Sequence, residues 1–87
     1  MVKYSSFPLS RDNGRHCTNA RVRVYKCGRR DLCSYSTIVC SLLKNGEFVR
    51  KWDGYSATTM RHINYFRMRY CLGTINKKEW MSMSVGA

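Results

Sequence analysis

Apolar residues at helical spacing predict that residues 56–72 form the main helix of the chain. Ser56 suits the N-cap position, because its hydroxyl can accept the Thr59 amide, and Gly73 suits the left-handed position after a helix. One stripe of this helix should face the core: Thr59, Met60, Ile63, Phe66 and Tyr70. The opposite side carries arginine and tyrosine, so the helix also offers a basic, aromatic surface.

Strict alternation of apolar and polar residues predicts a strand over residues 20–27. Val22 and Val24 should point into the core, and the intervening residues should point to the other face. A turn carrying two arginines is expected over residues 28–31.

A hairpin is predicted from residues 34–43 and 47–52, which flank Asn45 and Gly46. A two-residue turn at Asn-Gly would place Leu43 opposite Phe48. Both faces of this hairpin are partly apolar, and one helix covers only one face. The terminal segments or a second copy in a homodimer would have to cover the other.

The two ends of the chain are less regular. Val2 to Phe7 can form a strand that Pro8 would stop, and residues 11–15 have turn composition, so residues 1–19 should be rich in loops. Residues 76–79 have the spacing of a capping box, and residues 84–87 should fray. The prediction is a single α+β domain over residues 1–87: an antiparallel meander of about three to four strands, packed by one main α-helix.

Charge changes the picture, because sixteen lysines and arginines face five acidic residues, for a net charge of +11. An excess of this size favours a polyanionic partner such as nucleic acid, a nucleoprotein or an acidic protein surface. The chain has no signal-like apolar run and no apolar stretch of membrane-spanning length, so we expect a cytoplasmic protein outside the membrane.

Enzymatic and metal chemistry are not favoured by the sequence. The five cysteines include no Cys-x-x-Cys pair and fit no usual zinc spacing, so we expect free thiols, no metal and no cofactor. No phosphate-binding glycine loop or paired carboxylates are present, and neither His16 nor His62 has an acidic neighbour in sequence. We therefore expect a protein that is not an enzyme.

The candidate binding residues combine cations with rings on the predicted strand, turn and helix. Tyrosine and arginine suit both protein interfaces and nucleic acid. The alternative is an ordinary solvated face. The candidate set is Arg21, Arg23, Tyr25, Arg29, Arg30, Arg61, Tyr65 and Arg69.

Residues 36–66 resemble short bacteriophage proteins of unknown function, in which a hairpin precedes a Tyr-Ser-x-Thr-Thr-x-x-His helix start. The matching residues here are Tyr55, Ser56, Thr58, Thr59 and His62. The resemblance implies a phage accessory protein that acts on host machinery, and it supplies no catalytic residues.

Two main hypotheses for function follow. The first is a non-enzymatic inhibitor or modulator of a host nucleoprotein, such as an anti-CRISPR or other anti-defence protein. The second is a direct DNA- or RNA-binding protein of low sequence specificity. A structural subunit of a virion is a third reading.

Overall fold

The computed structural model describes residues 4–10 and 14–86, apart from the side chain of Thr18. The elements are β1 (Tyr4–Ser10), β2 (His16–Tyr25), β3 (Arg30–Ser34), β4 (Thr37–Leu42), β5 (Phe48–Arg50), α1 (Ala57–Arg69) and α2 (Lys77–Ser82). The strands form one antiparallel sheet in the order β1-β2-β3-β4-β5. The predicted α+β meander with one main helix is confirmed, but its five strands exceed the three to four expected.

Strand β2 follows the predicted alternation. Ala20 and Val22 are buried, and Val24 is half-buried against the core, whereas Arg21 is exposed. Helix α1 packs on the apolar side of β1, β2 and β3. The opposite side of the sheet is therefore the face to which the alternation assigns Arg21, Arg23 and Tyr25.

The N-terminal segment is more regular than predicted. Strand β1 continues through Pro8 to Ser10, and β2 begins at His16, so the expectation of a loop-rich segment over residues 1–19 is wrong for the described residues. Proline is tolerated because β1 is an edge strand, where a missing amide donor leaves no partner unbonded. Leu9 then lies fully buried in the core. Of the turn predicted over residues 11–15, residues 11–13 lie outside the described residues.

The strand predicted over residues 34–43 is confirmed over Thr37–Leu42, but its predicted start is wrong, because the chain turns back at residues 35–36. Strand β3 ends at Ser34, Tyr35 and Ser36 form a two-residue connection, and β4 starts at Thr37. Tyr35 adopts a left-handed φ of 57°. The turn predicted over residues 28–31 instead lies over residues 26–28, where the Gly28 amide donates to the Tyr25 carbonyl at 3.0 Å.

The Asn-Gly hairpin forms, but one residue away from the predicted register. Leu42, not Leu43, pairs with Phe48. The loop has three residues: the Gly46 amide donates to Leu43 at 2.9 Å, and the Leu43 amide donates to the Glu47 carbonyl at 2.8 Å. Only Gly46 in this loop has a positive φ, which is a type I turn followed by a bulge rather than the predicted two-residue turn.

Helix α1 begins as predicted, with Ser56 Oγ accepting the Thr59 amide at 3.4 Å. It ends earlier than predicted, because Cys71, at a φ of 60°, takes the left-handed position expected for Gly73. The Leu72 amide donates to the Arg67 carbonyl at 2.8 Å, which closes a Schellman motif. The core stripe is confirmed at Thr59, Met60, Ile63 and Phe66, and Tyr70 is half-buried.

The C-terminal segment is folded onto β5. Asn76 and Glu79 form the predicted capping box of α2, and Trp80 is fully buried. Val85 forms a parallel bridge with Arg50, and the Gly86 amide donates to the Arg50 carbonyl at 2.6 Å. Residues 85 and 86 thus contact β5, the fraying of residues 84–87 stays a prediction, and Ala87 lies outside the described residues.

This segment covers part of the second apolar face of the hairpin, where Gly86 packs closely against Val49. A β-carbon at position 86 would lie only 2.3 Å from a Val49 methyl group, so only glycine fits there. A β-bulge in β4 also contributes to the burial of apolar residues of the hairpin. It places Val39 opposite the step between Leu32 and Cys33, and both Val39 and Cys40 are buried. The homodimer stays a prediction.

Candidate nucleic-acid interface

Cations and aromatic rings meet on the side of the sheet opposite α1. We call this set the arginine–tyrosine face, and it consists of Tyr4, Arg21, Arg23, Tyr25 and Arg29. The Tyr4 and Tyr25 ring centroids lie 5.3 Å apart, with the ring planes at 45°. The Arg23 guanidinium lies 4.8 Å from the Tyr4 centroid, and that of Arg29 lies 4.2 Å from the Tyr25 centroid. The rings and guanidinium groups thus form a contiguous array.

Strand register brings this array together. Tyr4 pairs directly with Tyr25 in the β1–β2 ladder, and Ser6 pairs with Arg23 on the same face. The Tyr25 amide donates to the Arg29 carbonyl at 2.9 Å, so the short loop returns Arg29 beside Tyr25. The array therefore depends on backbone hydrogen bonds rather than on flexible ends.

The arginines of this face are fixed as well as charged. Arg21 Nε donates to Ser6 Oγ at 2.9 Å. Arg29 Nε lies 3.2 Å from Asp31 Oδ1, and the buried Asp31 also accepts Ser41 Oγ at 2.6 Å. A side-chain hydrogen bond with Tyr25 raises the pKa of Arg29, although desolvation opposes this effect, so Arg29 is a cation at every practical pH.

Most of the positive charge has no internal carboxylate to oppose it. With sixteen lysines and arginines against five acidic residues, at least eleven cations cannot be paired one to one. Tyr4 is 46% exposed, and Arg21 and Lys26 are exposed. A shallow cleft of about 310 Å³, lined by Tyr4, Ser5, Val24, Tyr25 and Lys26, adjoins the rings. The arginine–tyrosine face thus presents open cations and one well-exposed ring.

The eight residues predicted to bind do not form one surface. Arg30 and Arg69 lie on the helix side, with Arg30 Cζ 4.8 Å from the Tyr70 centroid and Arg69 Cζ 4.5 Å from that of Phe7. Adjacent strand residues point to opposite faces, so Arg30 cannot join its neighbour Arg29 on the arginine–tyrosine face.

Arg61 and Tyr65 belong to a third place, a cleft at the start of α1. We call it the helix-start cleft; it encloses about 220 Å³ and is lined by His16, Cys17, Asn19, Tyr35, Thr58, Arg61, His62 and Tyr65. Beneath it, Ser34 Oγ lies 2.9 Å from His62 Nδ1 and 3.2 Å from Thr59 Oγ1. Residues from β2, the β3–β4 turn and α1 meet here.

Sequence reasoning missed Tyr4, Asn19 and Tyr35. Tyr4 had a usable signal, because the strand predicted from Val2 to Phe7 precedes the alternating strand over residues 20–27, and a predicted turn lies between the two. Asn19 and Tyr35 had none, because they meet through the Tyr35 amide, which donates to the Asn19 carbonyl at 2.6 Å across 16 positions of sequence.

Among the described residues, no group of three or more His, Cys, Asp or Glu side chains lies close enough to hold a metal ion. Cys17, Cys33 and Cys40 are buried, Cys27 and Cys71 are exposed, and no disulfide joins any of the five. In the described part of the chain, neither helix has the length and apolar character needed to cross a membrane.

A family model matches residues 8–82, which is most of the chain. The chain belongs to DUF8033, a family of unknown function. The DUF8033 match spans β2 through α2 and therefore includes the helix-start cleft, whereas Tyr4 precedes it. No curated protein and no solved structure matched this chain. The origin in a phage stays a prediction that rests on the short motif of residues 55–62.

Proposed function

We propose that this protein binds single-stranded nucleic acid, free or displayed by a nucleoprotein, through the arginine–tyrosine face. The observation that carries the proposal is the contact between the Tyr4 and Tyr25 rings, flanked by the guanidinium groups of Arg23 and Arg29. Single strands expose bases that stack on aromatic rings and on guanidinium planes, and basic side chains hold the phosphates. The net charge of +11 supports the same partner.

The proposal predicts how strongly the binding affinity depends on salt concentration. Three cations lie on or beside this face in addition to Arg29, which is already paired with Asp31: Arg21, Arg23 and Lys26. If each of the three neutralises one phosphate of a single strand, log affinity should fall against log salt with a slope of about −2. Fluorescence anisotropy with labelled 20-nucleotide DNA and RNA, measured at a series of salt concentrations, gives the slope directly.

Matched substitutions distinguish binding through the arginine–tyrosine face from non-specific binding through the overall positive charge. Arg21→Gln and Arg23→Gln should each weaken binding about fivefold at 0.1 M salt and make the slope less steep by about 0.7. Tyr4→Leu should weaken binding about tenfold with no change in slope, because a stacked ring carries no charge. Lys78→Gln removes one exposed charge from α2 and serves as the control. Equal losses for Lys78→Gln and Arg23→Gln, or no binding at low salt, would reject the proposal.

The finer proposal concerns the biological setting. We infer a non-enzymatic accessory protein of a bacteriophage that inhibits a host nucleoprotein, and the resemblance of residues 36–66 to phage proteins supports it. The test is recovery of a tagged copy from bacterial cells, with Arg23→Gln as the matched variant. A host ribonucleoprotein or DNA complex retained by the original chain and lost with Arg23→Gln is expected. Recovery of nucleic acid without any stable protein partner would leave direct binding as the function.

A further inference from the structure

The helix-start cleft lies at the opposite end of β2 from the Tyr4 and Tyr25 rings. It is built on the first residues of β2, whereas Tyr25 ends that strand, about 25 Å of extended chain from Cys17. The two sites come closest where Asn19 of the cleft lies two residues, or about 7 Å, from Arg21 of the arginine–tyrosine face. A ligand in the cleft is therefore distinct from a base stacked on the Tyr4 and Tyr25 rings.

His62, which lines the cleft, belongs to a buried polar cluster with Ser34 and Thr59, two residues that do not themselves line the cleft. His62 is 6% exposed, Ser34 2% and Thr59 4%. Their hydroxyl and imidazole groups contact one another, and Ser34 Oγ faces His62 Nδ1 at 2.9 Å. The imidazole ring that lines the cleft is thus held in one orientation, which favours recognition of a ligand with a defined polar edge.

The rim carries a ring on a strained backbone. Tyr35 is 57% exposed at a φ of 57°, a conformation that glycine or asparagine adopts with less strain. Its amide is tied to the Asn19 carbonyl at 2.6 Å, and its ring centroid lies 6.2 Å from that of His62. Residues in such conformations concentrate at functional sites, and here the strained residue presents an exposed ring at a cleft.

The chemistry of the lining selects the ligand class. None of the eight lining residues is a carboxylate, Arg61 is an exposed cation, and Tyr35 and Tyr65 supply rings. The amide of Asn19 and the hydroxyl of Thr58 add donors and acceptors. A planar ring with hydrogen-bonding edges and an attached anion matches all of these groups. A volume of about 220 Å³ lies below the range for drug-sized ligands, so it suits one base and not a longer strand.

We propose that the helix-start cleft binds a single nucleotide, with the base against Tyr35 and the phosphate beside Arg61. The nucleotide is either a free mononucleotide or the terminal residue of a strand. This assignment does not depend on the arginine–tyrosine face.

The test is a titration of the ¹⁵N-labelled protein with AMP, GMP, CMP and UMP, followed by amide chemical shifts. Saturable shifts are expected at Asn19, Tyr35, Thr58 and Arg61, with a Kd of about 0.1–1 mM. Tyr35→Asn should weaken binding about tenfold by removing the ring. Asparagine suits the left-handed backbone, so this variant keeps its fold.

Three comparisons decide the outcome. Arg61→Gln should abolish the preference for a nucleotide over its nucleoside, whereas Arg23→Gln should change only oligonucleotide binding. A 5′-phosphorylated trinucleotide that binds more tightly than AMP, with the same sensitivity to Tyr35→Asn, assigns the site to a strand end; equal affinity assigns it to free nucleotides. Inorganic phosphate that binds as tightly as AMP, or AMP binding unaffected by Tyr35→Asn, overturns the proposal.

Discussion

The buried Arg50 makes the sharpest prediction about stability. Arg50 is 4% exposed, and its guanidinium contacts backbone carbonyls of two segments, residues 52–54 and residues 80–83. Nε donates to Trp52 at 2.8 Å, and Nη1 donates to Trp80 and Met83 at 3.0 Å each. Cζ lies 4.7 Å from the Trp80 ring centroid. The Trp80 carbonyl accepts the Met83 amide at 3.2 Å as well as Arg50 Nη1, and the Met83 carbonyl accepts Arg50 Nη1, so Arg50 fixes the end of α2 to β5.

The magnitude follows from these contacts. Hydrogen bonds to a charged group contribute about 1.5–3 kcal/mol each, and desolvation of the guanidinium offsets part of the sum. Removal of Arg50 leaves buried backbone carbonyls without this donor, at a cost of about 1–3 kcal/mol for each carbonyl left unsatisfied. A chain of 87 residues has a total free energy of unfolding of about 4–13 kcal/mol. Arg50→Met should therefore lower the free energy of unfolding by about 3–5 kcal/mol, which is about a quarter or more of the total.

Arg50→Lys tests geometry rather than charge. A lysine ammonium is a compact donor that cannot span the three carbonyls, so we expect a loss of about 2 kcal/mol. Urea denaturation followed by tryptophan fluorescence measures the loss, and amide hydrogen exchange over residues 76–86 shows whether α2 detaches first. Arg21→Lys, on the exposed face, is the matched control. Stability of Arg50→Met within about 0.5 kcal/mol of the original chain, with α2 still protected, would refute the reasoning.

Other predictions address the core, the strained turn and the thiols. Phe66→Ala should cost about 3–5 kcal/mol, because Phe66 is fully buried in the stripe of α1; a loss below about 1 kcal/mol in urea denaturation would contradict the packing. Tyr35→Asn should raise the free energy of unfolding by about 0.5–1 kcal/mol, since asparagine tolerates the left-handed φ better; a lower urea midpoint would show that the tyrosine ring outweighs the strain. With a thiol reagent on the folded protein, Cys27 and Cys71 should react fast and the buried thiols slowly; rapid modification of all five in native buffer is the contrary result. Burial raises the pKa of the Cys40 thiol well above its ordinary value. The folded chain then keeps a proton that the unfolded chain loses, so stability is full below a pH of about 8.5 and falls by up to about 1.4 kcal/mol per pH unit above it. Cys40→Ala should flatten that decline, measured by urea midpoints at several pH values; an unchanged slope would assign the decline to other groups.

Local patterns in the sequence were enough for the elements whose stabilising contacts are local. The N-cap of α1 joins Ser56 to an amide three residues away, and the capping box of α2 likewise joins Asn76 to Glu79. The alternation over residues 20–27 predicted which side of β2 is buried. The net charge of +11, and with it the expectation of a polyanionic partner, is a property of composition alone.

The tertiary structure decided everything that depends on distant partners. Tyr35 turns the chain because its amide reaches the Asn19 carbonyl, and no local residue preference marks that turn. No local pattern marks Arg50 as buried, yet it donates to carbonyls about thirty residues away in the folded chain. Arg29 and Arg30 are neighbours in sequence and lie on opposite faces of the sheet. Pairing register and packing fix such placements, because a hydrogen bond or a buried contact depends on distance in space and not on separation along the chain.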